Sequence, residues 1–174
     1  MKINHQDLEW NLCKTYFSIL ENTMTSEVSL DQLCNEAKIS KEEAEKIVPN
    51  NSLDYKYFFL KILISYLDGE VLNELKLDIT DDNISSTYDK ILEGLSLRFE
   101  KYLEFKLAFK ILSNSTKQKV EVFLNVFQEN YNFTTSLLNL VESDKICVRK
   151  VLKSIALNII FINGLETFFK NENK

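Results

Sequence analysis

Apolar residues recur near every 3.6 positions almost from end to end of the chain, the spacing of one helix face after another. Leu8, Leu12, Tyr16, Ile19 and Leu20 share a face, with Cys13 and Phe17 beside them, which predicts a helix over 6–22. A polar break follows at 22–26. Ser29 reads as the N-cap of a short helix over 30–37 that turns Leu30, Leu33, Cys34 and Ala37 inward. Ser40 caps another, over 41–48, with Glu43 completing a capping box, and Pro49 stops it by disfavouring helix at the preceding residue.

The helices then lengthen. Ser52 opens a run over 53–75, in which Gly69 marks a bend, and 78–83 reads as an acidic loop. Ser85 or Ser86 caps a helix carrying Ile91, Leu92, Leu95 and Phe99, while Tyr102, Phe105, Phe109 and Leu112 mark the next. The polar stretch 113–116 predicts a loop with a cap. A long helix follows with Val120, Phe123, Leu124, Phe127, Tyr131, Leu138 and Val141 on one stripe. Ser143 opens the last helix, with Val148, Val151, Leu152, Ile155, Ile159 and Ile162. No segment alternates with the period of a strand and none repeats. The prediction is an all-α chain, three short helices followed by about five longer ones.

Composition narrows the chemistry. With 3 Gly and 1 Pro in 174 residues, the chain lacks the turn punctuation of sandwiches, barrels and doubly wound sheets. Gly69, Gly94 and Gly164 stand too far apart for a phosphate-binding loop. The single His, His5, excludes sites that need two histidines and leaves a His-based triad little room. Cys13, Cys34 and Cys147, odd in number and set in apolar or helical patterns, read as reduced thiols of a cytoplasmic protein. No metal and no cofactor is expected. Residues 1–7 hold no apolar run, so no secretory signal is expected. The longest apolar segment, 155–162, is interrupted by Asn158 and falls well short of the ~20 residues of a membrane span.

The order of the short helices carries more information. Ser29–Leu30, then Ala37–Lys38–Ile39–Ser40, then the segment from Lys41 and Pro49–Asn50–Asn51, follow the pattern of a helix-turn-helix: apolar positions where one helix rests on the other, a small residue before the turn, a buried aliphatic inside it. With Asp68–Gly69–Glu70–Val71–Leu72 and the stretch from Tyr88 to Glu100, this layout resembles the TetR family of bacterial transcriptional regulators, in a proteobacterial branch. The resemblance implies a TetR-like all-α fold: a three-helix DNA-binding head over 1–52 and a helical ligand-binding and dimerising body over 53–174. It places Lys38, Ser40, Lys41, Glu42, Glu45 and Lys46 at the DNA-facing surface. Here the chain departs from the family. Lys38 replaces the turn glycine, Ala44–Glu45 replaces a Leu–Tyr pair, and Val48 replaces the aromatic before proline. Residues 1–52 hold five lysines against nine acidic residues, a net of −4, nearly all of the −5 of the whole chain. DNA-binding heads normally have the opposite sign, because phosphate neutralisation supplies much of their affinity.

In the body, Phe99, Tyr102, Phe105, Phe109, Phe123, Phe127, Tyr131 and Phe133 recur at inward spacings, as ordinary core or as the lining of a pocket for an apolar ligand. Arg98 and Lys106 are either polar anchors of such a pocket or exposed surface charges. The last helix is apolar around much of its circumference, and Ile155, Ile159, Ile160 and Ile162 are the expected homodimer contacts. The leading functional expectation is a cytoplasmic, ligand-responsive transcriptional regulator. The alternative is a TetR-fold protein that has lost DNA binding and holds a lipid or apolar metabolite, as accessory proteins of ubiquinone biosynthesis do. Catalysis is not expected: Glu42–Glu43 and Asp81–Asp82 read as solvated surface, and no nucleophile has a base near it.

Overall fold

The computed structural model describes residues 5–25, 27–49, 52–81, 84–116, 120–142 and 148–170. Among them there is no strand. The elements are α1 (His5–Thr23), α2 (Leu30–Ala37), α3 (Lys41–Ala44), α4 (Ser52–Asp81), α5 (Thr87–Leu103), α6 (Lys106–Thr116), α7 (Val120–Val141) and α8 (Val148–Lys170). They form two compact units, one of residues 1–64 with 105–122, the other of 65–104 with 123–174.

This partition differs from a boundary at 52/53. The aromatic packing of the first unit explains why. Tyr16 of α1 stacks on Phe59 at 4.7 Å, the Cys13 thiol donates to the Phe59 carbonyl at 3.4 Å, and Phe17 meets Phe105 edge-on at 6.0 Å. Phe59 and Phe105 thus complete the core that α1 begins with Leu12, Tyr16, Phe17 and Leu20. Cys13 and Cys34 are buried free thiols, and Cys147 lies outside the described residues.

The local signals for α2 and α3 act as their chemistry dictates. Ser29 Oγ accepts from the Gln32 amide at 3.1 Å. Ser40 Oγ accepts from the Glu43 amide while the Glu43 carboxylate accepts from the Ser40 amide, the reciprocal box that satisfies two orphan donors. Lys38 ends α2 in the left-handed region, φ 56° and ψ 44°. A regular helix over 41–48 is not what forms. α3 ends at Ala44, whose carbonyl accepts from both the Ile47 and Val48 amides, so the chain tightens into turns before Pro49.

In the second unit, Val71 and Leu75 of α4 pack with Phe133 and Leu137 of α7. The expected loop from residue 78 is helix as far as Asp81, because Ile79 packs against this cluster and extends the stripe by one more turn. Gly69 marks no interruption of α4. The expected loop at 113–116 is likewise the last turn of α6. Ser86 is the N-cap of α5, boxed with Asp89. The opening expected at Ser143 lies outside the described residues, and the described part of the last helix begins at Val148. No helix among the described residues is long and apolar enough to cross a membrane.

Candidate functional site

Arg98, one of two arginines in the chain, is not a surface charge: its side chain has no exposure at all. It projects from α5 into the second unit and meets Asp68 of α4 in a two-pronged pair, Nε to Oδ1 at 2.6 Å and Nη2 to Oδ2 at 2.7 Å. Nη2 also donates to the Tyr102 hydroxyl at 2.9 Å, and that hydroxyl donates to Asp68 Oδ1 at 3.1 Å. The Phe133 ring of α7 and the Phe161 ring of α8 each stand 4.2 Å from the guanidinium carbon. Planar stacking and a fork of donors are what distinguish arginine from lysine at such a place.

The electrostatics follow from burial. Burial raises the Asp68 carboxyl above its ordinary 3.8, and the Arg98 charge with the hydrogen bonds from Arg98 and Tyr102 opposes that rise. Burial by itself lowers the Arg98 pKa, and Tyr102 and Asp68 more than reverse it. The Tyr102 phenol is pushed up, chiefly by burial. A charge pair in this setting is kept by its geometry, since desolvation offsets much of its attraction.

The cluster is polar beyond the pair. Thr134 Oγ1 donates to the Ser154 carbonyl at 3.2 Å, Thr135 Oγ1 to Ser154 Oγ at 3.2 Å, and Asn158 Nδ2 to the Phe127 carbonyl at 3.0 Å. A later residue of α8 thus meets an earlier residue of α7, so these two helices run antiparallel. Arg98 Nη1, Asn130 Nδ2 and Asn158 Oδ1 are buried with no hydrogen-bond partner among the described residues. Each orphaned group costs about 1–3 kcal/mol.

The residues expected to line a pocket are divided between the units. Arg98, Phe99, Tyr102, Phe127 and Tyr131 belong to the second, and Phe105 and Phe109 to the first. Phe99 is half-buried against Phe161, ring centroids 4.5 Å apart. Phe127 and Tyr131 are half-buried on α7, and Phe109 is half-buried on α6. Phe123 lies in α7, and its side chain is outside the described residues. Lys106 is half-buried. The pattern did not single out Asp68, Asn130, Thr134, Ser154 and Asn158. A signal for three of them was present: Asp68 falls on the inward stripe of Ile64, Leu67, Val71 and Leu75, Asn130 lies one turn before Phe133, and Asn158 interrupts the longest apolar run.

The six expected DNA-facing residues lie together at the α2–α3 turn, and all of them, Lys38, Ser40, Lys41, Glu42, Glu45 and Lys46, are exposed. Lys41 Nζ pairs with Asp31 Oδ1 at 2.9 Å. Between them Ala44 of α3 is fully buried. Elsewhere in the first unit, a cleft of about 380 Å³ lies beside α1 and α2, lined by amide and hydroxyl side chains with Lys14 and Glu36 as its charges.

On α8 the usual distribution is inverted. Lys150, Ser154 and Asn158 are buried with Phe161, whereas Val148, Leu152, Ile159 and Ile160 are 78%, 61%, 50% and 60% exposed. Ile155 and Ile162 are half-buried at the edges of that apolar face. Gly164 receives the Phe99 ring of its own chain, 2.8 Å from where a Cβ would stand. Comparison of the chain with protein-family models, with curated proteins and with solved structures finds no match.

Proposed function

We propose that the chain is a TetR-like, ligand-responsive transcriptional regulator of the cytoplasm. The α2–α3 turn addresses DNA, the second unit receives a small apolar molecule, and the outward face of α8 pairs two copies into a homodimer. The observation that carries the DNA reading is the turn itself. Two capped helices meet at the left-handed Lys38, and the six residues aligned with the family's reading surface all face solvent. The buried polar centre around Arg98 supports the ligand reading, because specific small-molecule sites place a few polar groups in an otherwise apolar lining. Ligand binding then acts by its differential affinity for two conformations with different operator affinity. No catalytic role is assigned.

A second reading is favoured by the charges at the same turn. Glu42, Glu43 and Glu45 crowd α3 and its end, and Lys41 is held by Asp31. On that reading the chain keeps the ligand-binding body and dispenses with DNA. A fluorescence titration of mixed genomic DNA fragments at several salt concentrations separates the two. The regulator reading expects binding whose log K falls linearly with log salt. No binding at 50 mM salt overturns it and leaves the second.

A further inference from the structure

The three described residues of the second unit that carry these orphaned atoms fall at one level of the helix packing. On the antiparallel register set by Thr134 with Ser154 and by Asn158 with Phe127, Phe133 and Phe161 lie about two turns apart along the helix pair. Both rings stand 4.2 Å from the guanidinium carbon, so Arg98 occupies the level between them. Asn130 and Asn158 fall at that same level, each three residues before its phenylalanine and hence on the same helix face. Two of the orphaned atoms, Arg98 Nη1 and Asn130 Nδ2, are donors, and Asn158 Oδ1 is an acceptor. The Asn158 amide orientation is fixed by its partner, since only Nδ2 can donate to the Phe127 carbonyl.

We infer that this is a binding site for the single hydroxyl of a neutral, otherwise apolar small molecule. It rests on the ligand-binding reading above and names the chemistry of that ligand. A hydroxyl oxygen accepts two hydrogen bonds and its proton is donated to one acceptor, which is the complement of this set. A carboxylate or phosphate leaves Asn158 Oδ1 without a donor and faces Asp68, whose charge already neutralises Arg98. A pure hydrocarbon leaves all three atoms unsatisfied. The Phe99, Phe133 and Phe161 rings around the centre suit the apolar remainder.

Three probes of one shape test this on the full chain: benzyl alcohol, toluene and benzoate, followed by thermal unfolding and calorimetry. Benzyl alcohol should bind with saturation and raise the melting temperature by roughly 5–10 °C at a hundredfold excess over its Kd. Toluene and benzoate should bind at least tenfold more weakly. Asn158→Leu and Asn130→Leu should each reduce the preference for benzyl alcohol over toluene. Should either variant fail to fold, the comparison of probes on the wild type decides alone. Equal binding of toluene overturns the hydroxyl assignment and leaves the apolar-ligand reading standing. Preference for benzoate overturns it in favour of an anion site. No binding of any probe overturns both.

Discussion

Arg98 and Asp68 are each buried, and each is tolerable there only because of the other. Removing one partner leaves an uncompensated charge, so Arg98→Met or Asp68→Leu should cost about 3–5 kcal/mol, whereas Arg98→Met with Asp68→Leu should cost far less than the two together. Denaturant unfolding measures this cycle. The pH dependence of Arg98→Met has a definite sign. Burial raises the Asp68 pKa, and removing Arg98 deletes the charge that opposes the rise. A carboxyl whose folded pKa is raised favours the fold below its unfolded value of about 3.9 and loses that contribution as pH rises through the folded value. The deficit of Arg98→Met against wild type should therefore be smaller near pH 4 than near pH 7, and a constant deficit contradicts the assignment. The sequence marked Arg98 as a possible anchor from its place beside Phe99 and Tyr102, but not its burial. The partners that bury it come from residues 68, 133 and 161, brought together only by the packing of four helices.

At the scale of elements, the helices were legible because apolar period and caps agree: Ser29, Ser40 and Ser86 each cap where their spacing to the first apolar turn requires. The ends were less so. α4 runs on to Asp81 because Ile79 gains packing that outweighs the acidic composition of 78–81, and no local signal reports such a gain. The helical glycines differ in what surrounds them, which gives a prediction of opposite signs. Nothing stands within 4 Å of a Cβ added at Gly69, so Gly69→Ala should stabilise by about 0.5–1 kcal/mol through lower backbone entropy in the unfolded chain. At Gly164 the Phe99 ring would lie 2.8 Å away, and overpacking there costs typically ~1–3 kcal/mol against the same gain. Thermal unfolding of the two variants should move in opposite directions; a rise for both means that Phe99 yields without cost.

For the whole molecule, the inverted α8 argues for a partner. Its polar side is buried inside the second unit, and its apolar side, Val148, Leu152, Ile159 and Ile160, faces outward. The dimer proposal expects sedimentation of the wild type as a species of twice 20.4 kDa at micromolar concentration. Ile160→Asp should shift it to the monomer, because a charge buried without a partner in an interface is costly. A 20.4 kDa wild-type species contradicts the dimer. The DNA-facing assignment of the α2–α3 turn is the claim on which the regulator reading depends, and its most direct test is a difference in salt slope. Glu42 lies exposed on α3. Glu42→Lys places a new cation there, and each added phosphate contact steepens the slope of log K against log salt by about 0.9. The account predicts tighter DNA binding for Glu42→Lys with a slope steeper by about that amount. An affinity and slope equal to those of the wild type would mean that this surface does not meet DNA.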